Sequence, residues 1–340
     1  MRTHNLPDTK VTIDQKEYLY FSGTSYLGVA SHPKFQQQLA KSITMWGTSY
    51  GSSRASNIKL SIYDKTESFL CSFLEVDDVI TTSSGTLAGQ LALQVLEQTT
   101  DAFFYLPKTH PAIKHKKALP FFMDDKITDE IKKHQKITIL ADAVPALEIQ
   151  PFSFNFLDDI PKNIEITLLI DESHSIGILG KTGNGIVSQI SKKENLKIVT
   201  VASLGKSFGV SGGYITGTKG FIAQIKTLDL FGGSAGMNPA FLDCFLASQE
   251  FYQTQLQKLK NNCQFVFNSL YKYPKINVSN NYPVFFVDDE TIAIYLLNNN
   301  IIITSFQYPS IHKIMNRIVI NANHTKTQLD ILIDKLLKYQ

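Results

Sequence analysis

Along the first two thirds of the chain, short apolar runs alternate with stretches whose apolar residues recur at helical spacing. The runs are "DVITTSS" (78–84), "AFFYL" (102–106), "KITILAD" (136–142), "ITLLID" (166–171), "KIVTVAS" (197–203) and "GYITG" (213–217), all dense in Ile, Val, Leu and Thr. Apolar runs without polar alternation predict strands buried on both faces, so the pattern implies a mostly parallel sheet covered by helices, an α/β architecture. Beyond about residue 236 the pattern changes. Residues 238–272, "NPAFLDCFLASQEFYQTQLQKLKNNCQFVFNSLYK", predict a long helical stretch, followed by short strands at "YPVFFV" (282–287) and "RIVINA" (317–322). A terminal helix from Thr325 places Leu329, Leu332, Ile333, Leu336 and Leu337 on one stripe, which predicts a second, smaller core. No internal repeat, linker or low-complexity segment interrupts the chain.

Composition narrows the class. The 340 residues are 43% apolar and 19% charged, enough for one large core or two moderate ones. Net charge is +3, from 33 Lys and Arg against 30 Asp and Glu, and the basic residues are scattered. That balance argues against a nucleic-acid groove or an anionic membrane surface as partner. The opening "MRTHNLPDTK" lacks the apolar stretch of a secretion signal, and no run of apolar residues is long enough to span a bilayer, so the expected location is the cytoplasm. Cys71, Cys244 and Cys263 are too widely spaced for a disulfide framework or a metal site and are expected as small buried hydrophobes. His110 and His115 sit five apart without a partner in register, so no metal site is expected.

Open parallel sheets bind ligands beyond the carboxyl ends of their strands, so the residues just past each run are the candidates for chemistry. After 78–84 comes "SSGTLAGQLALQVL", where Gly85 and Thr86 open a helix with Leu87, Leu91 and Val95 on one face. Small residues at a helix N-terminus suit a phosphate, although an ordinary strand-to-helix turn fits this segment equally. After 166–170 comes "DESHS", with Asp171 at the strand end and His174 three residues on; alone, the pair reads as a strand-end cap. After 197–202 come Ser203 and Lys206, the lysine set between Gly205 and Gly209. Taken together, three such pieces at one rim specify a ligand with a phosphate, a group that gains from a facing carboxylate, and an electrophilic carbon within reach of an amine. Pyridoxal 5'-phosphate has all three. Two other patterns fail: "SIGILGKT" (175–182) has Ser175 where a P-loop needs its first glycine, and "KTG" (181–183) precedes "SLGK" (203–206), the reverse of the serine β-lactamase order.

The segments "FSGTSYLGVASHP", "YGSSRASN", "SSGTLAGQ", "DESHSIGILGKTGNG" and "SLGKSFGVSGG" occur in the order and rough spacing of the α-oxoamine synthases, and the chain resembles that family over roughly residues 18–337. The resemblance implies the fold type I architecture of pyridoxal-phosphate transferases: a large domain with a mostly parallel seven-stranded sheet covered by helices, and a smaller α+β C-terminal domain. The implied division is an N-terminal segment at 1–45 contributing to the small domain and the active-site entrance, a large domain at 46–236, and a small domain at 237–340. A homodimer with shared active sites is implied as well. Carried over by position, Lys206 is the Schiff-base lysine, Asp171 the partner of the pyridinium nitrogen, His174 the contact of the ring hydroxyl and His110 the residue stacked on the ring. Ser84, Gly85, Thr86 and Ser203 are similar to the phosphate positions, and Arg317, with Thr24 and Ser310, to the substrate-binding ones. The implied reaction joins an amino acid, alanine foremost, to an acyl thioester with loss of carbon dioxide. An aminotransferase on the same scaffold and a non-catalytic homologue stay open beside it. Three positions depart from the family pattern: Thr24 where an asparagine is usual, Ala146 where a cofactor-contacting serine is usual, and Ala235 where a threonine near the partner's phosphate site is usual.

Overall fold

A computed structural model describes residues 1–145, 148–307 and 314–339. The chain opens with a hairpin, β1 (Lys10–Ile13) and β2 (Lys16–Phe21), then helices α1 (Pro33–Trp46) and α2 (Ser61–Leu74). Next come β3 (Asp78–Thr82), α3 (Gly85–Leu96), β4 (Ala102–Tyr105), β5 (Leu119–Pro120), a small hairpin β6 (Phe122–Met123) and β7 (Lys126–Ile127), β8 (Lys136–Asp142), β9 (Glu165–Asp171), β10 (Leu196–Ser203) and β11 (Gly213–Gly217). The last third holds α4 (Lys219–Thr227), α5 (Asp229–Gly233), α6 (Pro239–Ala247), α7 (Gln249–Leu270), β12 (Ile276–Asn277), β13 (Val284–Val287), α8 (Ile292–Asn298), β14 (Ile301–Gln307), β15 (Ile314–Val319) and α9 (Lys326–Lys338).

The predicted apolar runs form a seven-stranded sheet in the order β3-β11-β10-β9-β8-β4-β5. Period-two alternation sends neighbouring side chains to opposite faces: Ile166, Leu168 and Ile170 of β9 enter one core and Leu169 the other. All pairings are parallel except those of β11, which runs antiparallel to both β10 and β3. Strand 213–217 is thus the antiparallel member of the expected mostly parallel sheet. Its composition is that of a buried strand, and direction depends on the short return from Ser203 to Gly213, too short for a helical crossover. The seventh strand, Leu119–Pro120, is an exposed edge pairing with β4 and carries almost no sequence signal.

The second sheet has the order β1-β2-β14-β15-β13-β12, so the first strands of the chain lie beside the last. β2 runs parallel to β14, with Leu19 opposite Ile301. Helices α7 and α9 pack beside this sheet. The α9 stripe buries Leu329, Leu332, Ile333 and Leu336, each contributing about 1.5–3 kcal/mol, whereas Leu337 is exposed, one position past the buried face. Thr325 and Gln328 close a capping box at its start, contributing about 1 kcal/mol. The stretch 238–272 is two helices broken at Ser248, with rings of Phe208, Phe245 and Tyr252 packed together beneath the break. Cys244 and Cys263 are buried and Cys71 is half-buried.

Candidate active site

Strands β8, β9 and β10 end at one rim, and the register of β8 against β9 sets Asp142 directly beside Asp171. Asp171 accepts the Ser173 N–H at 2.8 Å, which fixes the tight turn carrying Ser173 and His174. The Ser173 hydroxyl accepts the Ser203 N–H at 2.8 Å, tying the end of β10 to the same turn. Behind it, the wholly buried Glu172 accepts the Ile186 N–H and the Ser175 hydroxyl, holding the glycine-rich loop that imitates a P-loop; burial pushes its carboxyl up to about 7.

Lys206 lies at the start of the return from β10, where its Nζ stands 2.9 Å from Nε2 of His174. Burial holds its amine below the ordinary lysine range, against the pull of Asp171 and Asp142. His174 is held well below the usual histidine range by burial and by the charges of Lys206, Arg317 and His110, so the ring is neutral. Its Nδ1 meets the Tyr26 hydroxyl at 2.7 Å, and its carbonyl accepts the Tyr282 hydroxyl at 3.1 Å. His110 donates its backbone N–H to Asp142 at 3.1 Å and accepts the Ala112 N–H on its own ring nitrogen. Burial and the Lys206 charge lower its ring pKa, which the charge of Asp171 raises. Asp142 is 5% exposed, and burial, reinforced by the neighbouring Asp171 charge, pushes its carboxyl well above the usual carboxylate range.

At the opposite side of the rim, Ser84 caps the Leu87 N–H of α3. The N–H groups of Gly85 and Thr86 in that first turn have no partner within the helix. A Cβ on Gly85 would come within 2.8 Å of the Ser203 backbone nitrogen, so only glycine lets α3 approach the end of β10 this closely. Arg317 of β15 is 8% exposed, donates to the Gly23 carbonyl at 3.1 Å and, among the described residues, leaves its buried Nε without a partner. An orphaned donor in a guanidinium fork of this kind fits an incoming carboxylate. Thr24 follows Gly23 directly. Ser310 and Ala146 lie outside the described residues. Ala235 lines a separate cavity of about 370 Å³ with Ser49–Ser53 and Gly232–Pro239. The "YGSSRASN" segment beside that cavity is anchored by Arg54, whose guanidinium pairs with Glu67 at 2.6 Å and lies over Tyr63.

The sequence-predicted residues Lys206, Asp171, His174, His110 and Ser203 thus meet at one rim, with Gly85 against Ser203 and Arg317 close enough for its charge to act on Lys206. Asp142, Tyr26 and Tyr282 were not singled out by sequence reasoning. Asp142 ends the run "KITILAD" as Asp171 ends "ITLLID", and that parallel is the signal that would have found it. A larger cavity, about 820 Å³, is lined by Tyr282 and by residues of 149–158 and 178–193, but by none of the rim carboxylates or Lys206. Among the described residues no cluster of His, Cys, Asp and Glu has the arrangement of a metal site, and no helix is long and apolar enough to cross a membrane.

Residues 152–336 match the family model for aminotransferase class I and II. Among curated relatives, the 8-amino-7-oxononanoate synthase of Fervidobacterium nodosum is 26% identical over 96% of this chain and 90% of its own length. That of Petrotoga mobilis is 24% identical over the same shares. Among solved structures, the serine palmitoyltransferase of Sphingomonas wittichii superposes with a TM-score of 0.83 at 15% identity, covering 99% of this chain and 91% of its own. The 8-amino-7-oxononanoate synthase of Francisella tularensis gives 0.70 at 24% identity, covering 95% and 98%. The sheet order and the helices around it are those of fold type I pyridoxal-phosphate enzymes. The chain belongs to the class I and II aminotransferase family and, within it, to the pyridoxal-phosphate-dependent α-oxoamine synthases.

Proposed function

We propose that the chain joins an amino acid to an acyl thioester, releasing a thiol and carbon dioxide and forming an α-amino ketone, with alanine and a pimeloyl thioester as the pair. The observation that carries the reading is the Lys206 amine, lowered by burial, 2.9 Å from a neutral His174 and within reach of the charges of Asp171 and Arg317, whose Nε has no partner among the described residues. The relatives named as 8-amino-7-oxononanoate synthases support the choice of substrates.

When bound, pyridoxal phosphate supplies an electrophilic carbon for an amine and a ring that draws electron density from the amino acid's α-carbon. Lys206 would hold it, Asp171 would stand against the ring nitrogen, His110 would lie on the ring, and Ser84, Gly85, Thr86 and Ser203 would take the phosphate. Residues of this chain do the rest. The guanidinium fork of Arg317 orients the substrate carboxylate, with Thr24 beside it. Because burial favours its neutral form, the Lys206 amine accepts the proton from the α-carbon and can return it to the product. His174 faces the same amine through Nε2, and the buried phenols of Tyr26 and Tyr282 exclude water from that side.

This reading includes the division into a cofactor layer at 46–236, with the segment 1–45 and the region 237–340 closing over it. It also includes a homodimer that completes the site near Ala235, and a cytoplasmic location. The test is to reconstitute the protein with pyridoxal phosphate and supply alanine, glycine or serine with pimeloyl-coenzyme A. The expected result is release of free thiol and carbon dioxide with alanine, and a product of the mass of 8-amino-7-oxononanoate. Amino-group exchange with keto acids and no response to thioesters would replace this reading with the aminotransferase one. Absence of any Lys206-dependent visible band would leave a non-catalytic homologue.

A further inference from the structure

His174 is clamped by two phenols that both come from outside the large sheet. Tyr26 follows β2, and Tyr282 precedes β13. Both are almost wholly buried, with ring centroids 6.4 Å apart. Tyr282 grips the backbone carbonyl of His174, which fixes the turn and leaves the ring untouched. Tyr26 grips the ring: its hydroxyl is 2.7 Å from Nδ1, while Nε2 faces Nζ of Lys206 at 2.9 Å. A neutral imidazole has one N–H and one lone pair, so whichever group donates to Nδ1 determines what Nε2 presents.

We infer that Tyr26 is a positioning residue: its O–H donates to Nδ1 of His174, fixing the Nε2–H tautomer and aiming that hydrogen at Nζ of Lys206 and at any acceptor joined to it. The charged and titratable groups around the ring agree with one orientation. Lys206, Arg317 and His110 all disfavour a second proton on the imidazole. The phenols of Tyr26 and Tyr282 are both held above their ordinary range by burial, so each keeps its proton and is available as a donor. Burial shifts the Lys206 amine toward its neutral form, the form in which a lone pair is available to Nε2–H. With the tautomer reversed, Nδ1–H would need Tyr26 to accept and Nε2 would accept from Lys206. The amine's hydrogen, and not its lone pair, would then be spent on the ring contact.

This inference rests on Lys206 as the reacting amine and is independent of which amino acid or thioester is used. It is tested by nitrogen NMR of the protein labelled in its histidine side chains, first free of cofactor and then reconstituted with pyridoxal phosphate, with His174→Gln identifying the resonance. The wild type is expected to show His174 as the Nε2–H tautomer. Tyr26→Phe removes the donor and should give a mixture of tautomers. It should also move the pH midpoint of the visible band of the lysine-bound cofactor by about one pH unit, the size of one lost hydrogen bond. Tyr282→Phe, which removes the hydroxyl on the His174 carbonyl and beside the Tyr26 hydroxyl but leaves the Tyr26 O–H in place, should keep the tautomer as in the wild type. An Nδ1–H tautomer in the wild type would overturn the proposal, and so would a folded Tyr26→Phe protein with unchanged tautomer and band midpoint. Should Tyr26→Phe not fold, the wild-type tautomer decides. A correct tautomer without condensation would count against the proposed substrates alone.

Discussion

Two histidines, one in each half of the molecule, make opposite use of the same side chain. His324 lies in the small sheet's polar network, where its Nδ1 accepts the Asn321 N–H at 2.9 Å and its Nε2 faces the Tyr20 carbonyl at 3.1 Å. Both partners are backbone groups of fixed polarity, so the tautomer is set once and cannot change. The ring stacks on Phe21 at 4.2 Å and serves as a joint. His174 is half-buried, and its partners, a phenol and an amine, can each donate or accept. Burial alone therefore does not mark a histidine as chemical; the reversibility of its partners does.

The comparison is broken most severely by removing the group that makes His174 chemical. Lys206→Ala should abolish the lysine-dependent visible band and lower turnover by about 10³-fold or more, read by absorbance and product formation. Next, His174→Asn should lower turnover about 10²-fold with little change in melting temperature. His324→Ala should do the reverse: the Asn321 N–H and Tyr20 carbonyl lose their buried partner, at a cost of about 1–3 kcal/mol in urea unfolding, with activity per folded molecule retained. Arg317→Lys, which keeps charge and loses the fork, should raise the KM for the amino acid about tenfold and change kcat less.

The smallest effects concern pH. Burial holds the His324 imidazole at about 4, below its unfolded value, so its share of stability is complete above about pH 6.5 and is lost as pH falls toward 4. Glu172 has the opposite sign: held up to about 7, its carboxyl stabilises fully below about pH 4.5, and that share is lost as pH rises toward 7. The melting temperature of Glu172→Gln should therefore gain on the wild type from pH 5 to pH 8, and that of His324→Gln should gain as pH falls below 6.

Much of this was legible in the chain. The six apolar runs of the large sheet are strands, and Lys206, Asp171, His174, His110 and Ser203 meet because strand ends at one rim are necessarily neighbours. Strand direction was not legible: Gly213–Gly217 has a buried strand's composition whichever way it runs. Nor were the phenols. Tyr26 lies 148 residues from His174 and Tyr282 lies 108 away, and in the sequence each reads as an ordinary core aromatic. The hairpin β1–β2 leaves little signal because its strands, "KVTI" and "KEYLYF", are short and half polar, and their pairing with β14 is nearly three hundred residues distant.

That distant pairing also orders events during synthesis. β2 has its hairpin mate at once, but its other edge waits for β14. Asp8 waits for Asn321 and Asn323, and the carbonyl of Tyr26 waits for the N–H of Ala322. A nascent chain that has cleared the ribosome only as far as residue 300 already contains the amine, both rim carboxylates and the imidazole. It still lacks Arg317 and the Ala322 N–H that holds the Tyr26 carbonyl. Folding from the N-terminus would thus assemble the nucleophile first and its control last, so the finished site is a checkpoint on the completeness of the chain.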